Sequence, residues 1–422
     1  MFKFFTSDLR RNLIKILCLS VGIAIGMLLV AKLYFIKTYD TFFPNADRLY
    51  LITESVVQNG EYKEYKQIPG GMSPELMRTF PQIEAATRFT VITDEAVIKL
   101  EDDRKFDVPY VSLADTCFFD VLSTPIIEGN PHEVLNVTDR VMIPRSLADK
   151  IGGDVVGMTF SLVEWSDQYK MTVGGVYEDY PINSTIANAV YLAMPTISNF
   201  MYDGSENLLG NDRYKGYAKL NKDAMADDLH PKIVEYLKTK LPEEAFTASD
   251  FRIWLRPLSG VYSSDTSVKT MSWLLGMLAT VILICAGLNY LLIVIGQLAY
   301  RGKEMAIRKC FGTGHPAIFR MMLCESLFFL LISVGIAVLI DFSLSNMSKE
   351  LLGYDTAQLF ALRGVWWLEG LICLVLLIIT GILPAVIYCR TPLASAFRPV
   401  AFGRKIWKLI LLAVQFFAYV MV

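Results

Sequence analysis

The sequence predicts an α-helical transmembrane bundle with a large extracytoplasmic α+β domain between its first and second spans. Three observations predict it. Apolar residues make up 53% of the 422-residue chain and the mean hydropathy is +0.40, too high for an ordinary globular protein and too low for a purely helical membrane protein. Four apolar runs, Ile16 to Ile36, Met271 to Leu298, Met321 to Ile340 and Val365 to Tyr388, each reach roughly the 20 residues that a 30 Å hydrocarbon core demands. The long stretch between the first two runs instead mixes short β-branched segments with amphipathic ones, the pattern of a water-soluble fold.

The first run follows Lys3, Arg10, Arg11 and Lys15, a positive n-region that a cleaved signal peptide would also have. Its apolar stretch is long and "AKLYF" is a poor cleavage site, so residues 1–36 read as a retained anchor. In the next segment, 37–269, "DEAVIKL", "VPYVSL", "RVMIP", "YKMTVGGVY" and "NAVYLAM" read as strands, and "SPELMRTFPQIEAAT", "SLADKIGG" and "MADDLHPKIVEYLKTKL" as helices. The segment is large enough for one domain or two small lobes. The second run has no charged residue from Thr270 to Tyr300. As one helix it would exceed the hydrocarbon thickness by about 15 Å, and it must either tilt or project.

Basic residues set the orientation. They concentrate before the first run, between the second and third (Arg301, Lys303, Arg308, Lys309, Arg320) and after the fourth (Arg390, Arg398, Arg404, Lys405, Lys408), which places all three on the cytoplasmic side. The 341–364 loop, with Asp341, Glu350 and Asp355 against Lys349 and Arg363, is then external, as is 37–269. Glu325, about 6 Å of helix rise beyond Met321, reads as an interfacial carboxylate at the positive end of its helix. Glu369 and Lys32, near external ends, read as snorkelling groups. No run carries a row of inward charges, which argues against an ion pathway.

Leu298 to Phe329, "LAYRGKEMAIRKCFGTGHPAIFRMMLCESLFF", carries the most information. On a helical wheel Ala306, Ile307, Cys310 and Phe311 share one arc, and Arg301, Glu304 and Arg308 line the opposite one, with Lys303 breaking the pattern. Gly312 can end this helix in a left-handed cap and Pro316 can open the next. The spacing R-x-x-E-x-x-I-R-K-x-x-G, met by Arg301, Glu304, Ile307, Arg308, Lys309 and Gly312, resembles the cytoplasmic loop of MacB/FtsX/LolC-type ABC transporter permeases. "YDTFFPNADRLYLI", "SLADTCFFDVL", "EGNPHEVL", "VMIPRSLADKIGG", "VVGMTF" and "VGGVYEDYPINST" likewise resemble successive landmarks of the MacB-like periplasmic core domain, so the resemblance covers nearly the whole chain.

The resemblance implies an anchor helix over 1–36, a periplasmic core domain over 37–269 and an FtsX-like three-helix membrane domain over 270–390. Within the last, 301–312 would be the helix that couples to an ATPase, and Glu325 would match an acidic position of the family's third helix. It further implies a multi-pass protein of the bacterial inner membrane with a cytoplasmic N-terminus. The implied partners are a cytoplasmic ABC ATPase subunit, a second permease copy or half, a periplasmic partner and membrane lipid. The implied work is mechanotransmission for export, lipoprotein release or peptide resistance. An FtsX-like regulator of cell-envelope hydrolases and a membrane-anchored sensor without an ATPase are the alternatives. "RKIWKLIL" at 404–411 repeats the basic-then-apolar entry "RNLIKIL" at 11–17, so 404–422 reads as the start of a fifth span and the chain as the first half of a tandem permease; four spans with a tail is the plainer reading.

Enzyme chemistry is not indicated. There is no G-x-x-x-x-G-K-[ST] loop, and the pairs Gly70–Gly71, Gly152–Gly153 and Gly174–Gly175 read as turns rather than phosphate cradles. ATP hydrolysis would come from a separate subunit, with no cofactor here. Of the seven cysteines only Cys117 falls in the soluble segment, so that segment has no internal disulfide. His132, His230 and His315 are far apart and read as solvated surface residues rather than metal ligands. The net charge of −2 gives no hint of nucleic-acid binding, and Asp179 to Thr185 reads as a polar turn set by Pro181.

Overall fold

The computed structural model describes residues 9–163, 169–296, 307 and 310–390. The fifth apolar run and "RKIWKLIL" lie outside these. The chain divides into two compact units, one formed by 38–265 and the other by 1–37 with 266–422.

The 38–265 unit is an α+β fold on one sheet of eleven strands: β1 (Leu49–Gln58), β2 (Glu61–Tyr65), β3 (Ile83–Leu100), β4 (Lys105–Ala114), β5 (Ile126–Glu128), β6 (Arg140–Pro144), β7 (Thr159–Leu162), β8 (Lys170–Tyr177), β9 (Val190–Ala193), β10 (Lys215–Leu220) and β11 (Arg252–Pro257). The main path runs β11-β1-β10-β3-β4-β9-β6-β8-β5, with parallel pairs only at β4–β9 and β6–β8. The 18-residue β3 runs through three apolar cores. Its start packs Ile83 and Ala86 under the helices Met72–Thr79 and Ala226–Lys240, its middle puts Phe89 among Phe118, Tyr191 and Tyr217, and its end joins Ile98 and Leu100 to Val111, Ile143 and Phe160. One strand thereby joins what the sequence left open as one domain or two lobes.

Two local expectations are corrected here. The helix expected over "SPELMRTFPQIEAAT" stops at Thr79, and Ile83 to Thr87 are strand, paired with β10 from Ile83↔Leu220 to Thr87↔Tyr217. Pro81 halts the helix, and the ladder outweighs the helical preference of two alanines. Of the glycine pairs, only Gly152–Gly153 is a left-handed turn (φ +78° and +76°). Gly70 and Gly71 lie against the backbone of Ser205 and Glu206, and Gly174 and Gly175 lie inside β8 against Val134 and the Glu128 carbonyl. At those four positions a β-carbon would collide, so glycine serves close approach.

Among the described residues the other unit holds four helices that are long and apolar enough to cross a membrane: Asn12–Lys37, Thr266–Val294, His315–Ser343 and Arg363–Val386. The first packs against the second through Gly22 and Gly26, where added β-carbons would overlap Ala286 and Leu283. Small residues four apart let two backbones approach closely, and dispersion does the rest where lipid offers no hydrophobic driving force. The first helix also meets the third, where Ser333 Oγ donates to the Ile16 carbonyl at 3.4 Å and the Lys15 ammonium lies 5.3 Å from the centre of the Phe329 ring. It meets the fourth where Tyr34 lies against Gly364. Among the described residues no cysteine is in a disulfide.

Valine at Gly22 should overpack the seam and cost about 1–3 kcal/mol, whereas alanine at Gly335, which faces open space, should be close to neutral. Thermal unfolding of the detergent-solubilised variants checks this; equal melting behaviour would remove the seam from the account.

Candidate functional site

The second and third helices are joined by a loop-side segment of which Ile307 and 310–314 are described; Arg301, Glu304, Arg308 and Lys309 lie outside the described residues. Ile307 is helical and the Phe311 amide donates to its carbonyl at 3.0 Å. Gly312 then takes φ +84°, a left-handed conformation that spares any side chain strain, and Pro316 sits in the first turn of the His315–Ser343 helix. Ile307, Cys310 and Phe311, the described members of the apolar arc, are all exposed, Phe311 at 87%. That face is covered by nothing in the described residues.

Because the third helix begins at His315, Glu325 stands ten residues inside it. At about 15 Å of rise it lies beyond the first turn, where the positive helix end acts, so the expected dipole stabilisation is withdrawn. Glu325 is half-buried, and its neighbour Ser326 is buried against the fourth helix.

At the opposite end, where the first helix stops at Lys37 and the second starts at Thr266, the structure buries charges that the sequence reading left exposed. Lys32, Asp341 and Glu369, from the first, third and fourth helices, are 2%, 5% and 3% exposed. None snorkels, and Asp341 belongs to the third helix rather than to the loop after it. Tyr354 lies over the Lys32 ammonium at 3.9 Å, Asp341 and Glu369 are within electrostatic range of each other, and Thr356 Oγ1 donates to the Asp341 carbonyl while sharing a 2.7 Å hydrogen bond with Ser348. The 341–364 stretch that supplies Tyr354 and Thr356 is helical over Ser345–Leu352 and Thr356–Phe360, the latter closed by an Asp355/Gln358 capping box. Periodicity could not find these buried charges, because each interrupts an otherwise apolar helix face.

Two features mark the level of this end. Trp273, Trp366 and Trp367 are exposed at 73%, 51% and 86%, an arrangement suited to a membrane interface. An open groove of about 790 Å³ lies between the first and second helices, lined by Val30, Leu33, Tyr34, Trp273, Met277 and Val281.

In the 38–265 unit, the Asp179 to Thr185 turn has a task that sequence reasoning missed. It clamps the residues that follow the first helix: Asn183 Nδ2 donates to the Thr38 carbonyl at 2.7 Å, the Asp40 amide to the Asn183 carbonyl at 2.9 Å, and the Thr185 amide to Asp40 Oδ1 at 2.8 Å. Asp40 itself takes φ +56°. Asp179 meanwhile accepts from the Ser146 amide and hydroxyl. Burial pushes the Asp40 carboxyl up to about 6, against hydrogen bonds from Thr185 and Ser184 that pull it down.

The histidines divide. His132 is exposed and lies 2.6 Å from Asp120. His230, contrary to expectation, is no solvated residue, since its ring stacks on Trp254 at 3.6 Å and Nδ1 lies 3.0 Å from the Ile253 carbonyl. Among the described residues no group of His, Cys, Asp and Glu is arranged to hold a metal ion.

Comparison with known proteins places residues 13–236 in the MacB-like periplasmic core domain family and residues 276–393 in the FtsX-like permease C-terminal family. Among solved structures, a domain of a protein assigned as a permease from Porphyromonas gingivalis is 29% identical, covers 51% of this chain and 91% of its own, and superposes with a TM-score of 0.46. The periplasmic region of MacB from Actinobacillus actinomycetemcomitans is 16% identical, covers 54% and 93%, and gives 0.34. No curated protein matches the chain.

The folded 38–265 unit holds the Asp40 proton more tightly than the unfolded chain does. This contribution to stability is full below pH 3.8, the ordinary carboxyl value, and is lost as pH rises to about 6. Asp40→Asn should flatten that part of the stability profile while keeping an acceptor for the Thr185 amide, and Asp40→Ala should lose roughly 1–3 kcal/mol by leaving buried donors unpaired. Urea titrations across pH 4–7 with a fluorescence readout decide it; an unaltered profile in Asp40→Asn would assign the effect elsewhere.

Proposed function

The chain belongs to the MacB/FtsX-type family of ABC transporter permeases, and on that premise we propose that it is the transmembrane subunit that carries an ATPase's conformational change to an extracytoplasmic domain. One observation carries the reading: the FtsX-like match at 276–393 brackets the loop-side segment whose residues fit the coupling pattern. Nucleotide-driven closure of a cytoplasmic ATPase subunit would push on the exposed Ile307 and Phe311 and on the charges of Arg301, Glu304, Arg308 and Lys309. Hydrolysis belongs to that separate subunit, and this chain supplies the mechanics. In this reading the loop side is cytoplasmic, the 38–265 unit is periplasmic and the membrane is the bacterial inner membrane.

The second helix supports a lever. It runs unbroken for 31 residues from Thr266 to Gly296, and the seven residues before Trp273 extend about 10 Å beyond the level of the aromatic side chains. A rigid rod of that length can convert a push at one end into displacement at the other. Export, lipoprotein release and peptide resistance would all use the same stroke.

Charge reversal at Glu304 or Arg308 should abolish ATPase co-purification and stimulated hydrolysis while the permease still folds and inserts. Unchanged stimulation would end the coupling assignment. A Gly-Ser pair inserted near Thr270 should leave ATP binding intact but remove the nucleotide-dependent distance change between extracytoplasmic domains, read with spin labels in the full assembly. Persistence of that change after insertion would return the hydrolase-regulator and sensor readings to the front.

A further inference from the structure

The fourth helix is α-helical over Arg363–Leu377, a π-helix over Ile378–Ile382 and α-helical again over Leu383–Arg390. Pro384 accounts for the break. Proline has no N–H, so the carbonyl four residues earlier, that of Thr380, loses its helical donor, and the ring presses against the same carbonyl. In an apolar slab that oxygen cannot turn to water, and leaving it bare is costly.

Two hydroxyls are near enough to help. Thr380's own Oγ1 is already committed to the Leu376 carbonyl at 2.7 Å. Ser326 Oγ, reaching across from the third helix, donates to the Thr380 carbonyl at 3.1 Å, with Ser326 5% and Thr380 1% exposed. The reach depends on Gly381, whose added β-carbon would lie 3.2 Å from Ser326 Cβ and 3.3 Å from Leu323 Cδ1. Backbone defect, donor and clearance coincide at one point of the bundle.

We propose that Ser326 is a positioning residue, a latch whose hydroxyl replaces the amide that Pro384 lacks and so fixes the bend between the two halves of the fourth helix. Ser326 lies three turns from the start of the third helix, directly after the loop-side segment. With the latch closed, the third helix and the inner half of the fourth move as one body. With it open, the Thr380 carbonyl has neither the Ser326 hydroxyl nor an α-helical amide, and the π segment becomes a loose joint. The latch stands on local hydrogen bonding alone; its use in transmitting a stroke rests on the permease reading.

The test is a double-mutant cycle of Ser326→Ala and Pro384→Ala. Spin labels at Leu371→Cys and Val386→Cys, one on each half of the fourth helix, are placed in a background with the native cysteines replaced, diluted with unlabelled chain and measured in lipid nanodiscs. Ser326→Ala should broaden and shift the distance distribution. Adding Pro384→Ala restores the amide and should return a narrow distribution although the serine is still absent. No broadening in the single variant, or no rescue in the double, overturns the latch. Should Ser326→Ala fail to insert, the double variant must recover insertion, and its failure overturns the proposal equally. A parallel assay with the ATPase subunit expects stimulation to fall at least about fivefold in Ser326→Ala and to recover in the double. Rescue of the distances with stimulation unmoved throughout would uphold the latch and count against the transmission reading.

Discussion

The contact on which the membrane unit depends is the seam where Gly22 and Gly26 admit Ala286 and Leu283. Lipid tails are as apolar as leucine, so helices in a bilayer gain little by hiding hydrophobic surface from one another. They must gain by closeness. A first helix bare of side chains at two successive turns can sit near enough to the second for dispersion to accumulate, and from that position it reaches the third through Ile16 and Lys15 and the fourth through Tyr34. Among the described residues it touches each of the other three, as the fourth helix also does.

Polar groups inside this unit mark its ends. The end at Lys37 and Thr266 buries Lys32, Asp341 and Glu369, with Tyr354 over Lys32 and Thr356 on the Asp341 carbonyl, and the loop-side half holds Ser326 on the Thr380 carbonyl. Buried charges are costly unless paired, and Asp341 and Glu369 are like charges within electrostatic range whose Oδ2, Oε1 and Oε2 atoms have no hydrogen-bond partner among the described residues, so the packing of the helices around them must offset that cost. A helix defect produced by Pro384 and covered by a neighbour's hydroxyl favours one register, because the donor and the bare carbonyl must meet at one height.

The 38–265 unit works on a different principle. Its strength is the continuity of β3 through three cores, with aromatic side chains at the centre: Phe89 stacks on Tyr217 and meets Phe118 and Tyr191 edge-on. The chain enters this fold through the Thr38 to Asp40 clamp on Asn183 and Thr185. A segment held by both backbone and side-chain hydrogen bonds can bear a pull, which suits a domain that follows a membrane helix directly.

By itself the sequence determined the helices long enough to span a membrane, the α+β character of the segment between them, the left-handed cap at Gly312 and the helix start at Pro316. Each is a local matter of hydropathy, periodicity or backbone sterics, written in adjacent residues. The Gly22–Gly26 spacing is equally local, a small-residue motif embedded among apolar residues, but which helix it admits is a tertiary matter. Tertiary structure alone decided that Ile83 to Thr87 extend as strand, that Gly174 and Gly175 serve close packing, that the 179–185 turn clamps Asp40, that Lys32, Asp341 and Glu369 are buried, and that Ser326 answers Pro384. These depend on partners roughly 30 to 320 residues away along the chain, a scale at which pairing is chosen by packing and by unsatisfied polar groups rather than by local preference.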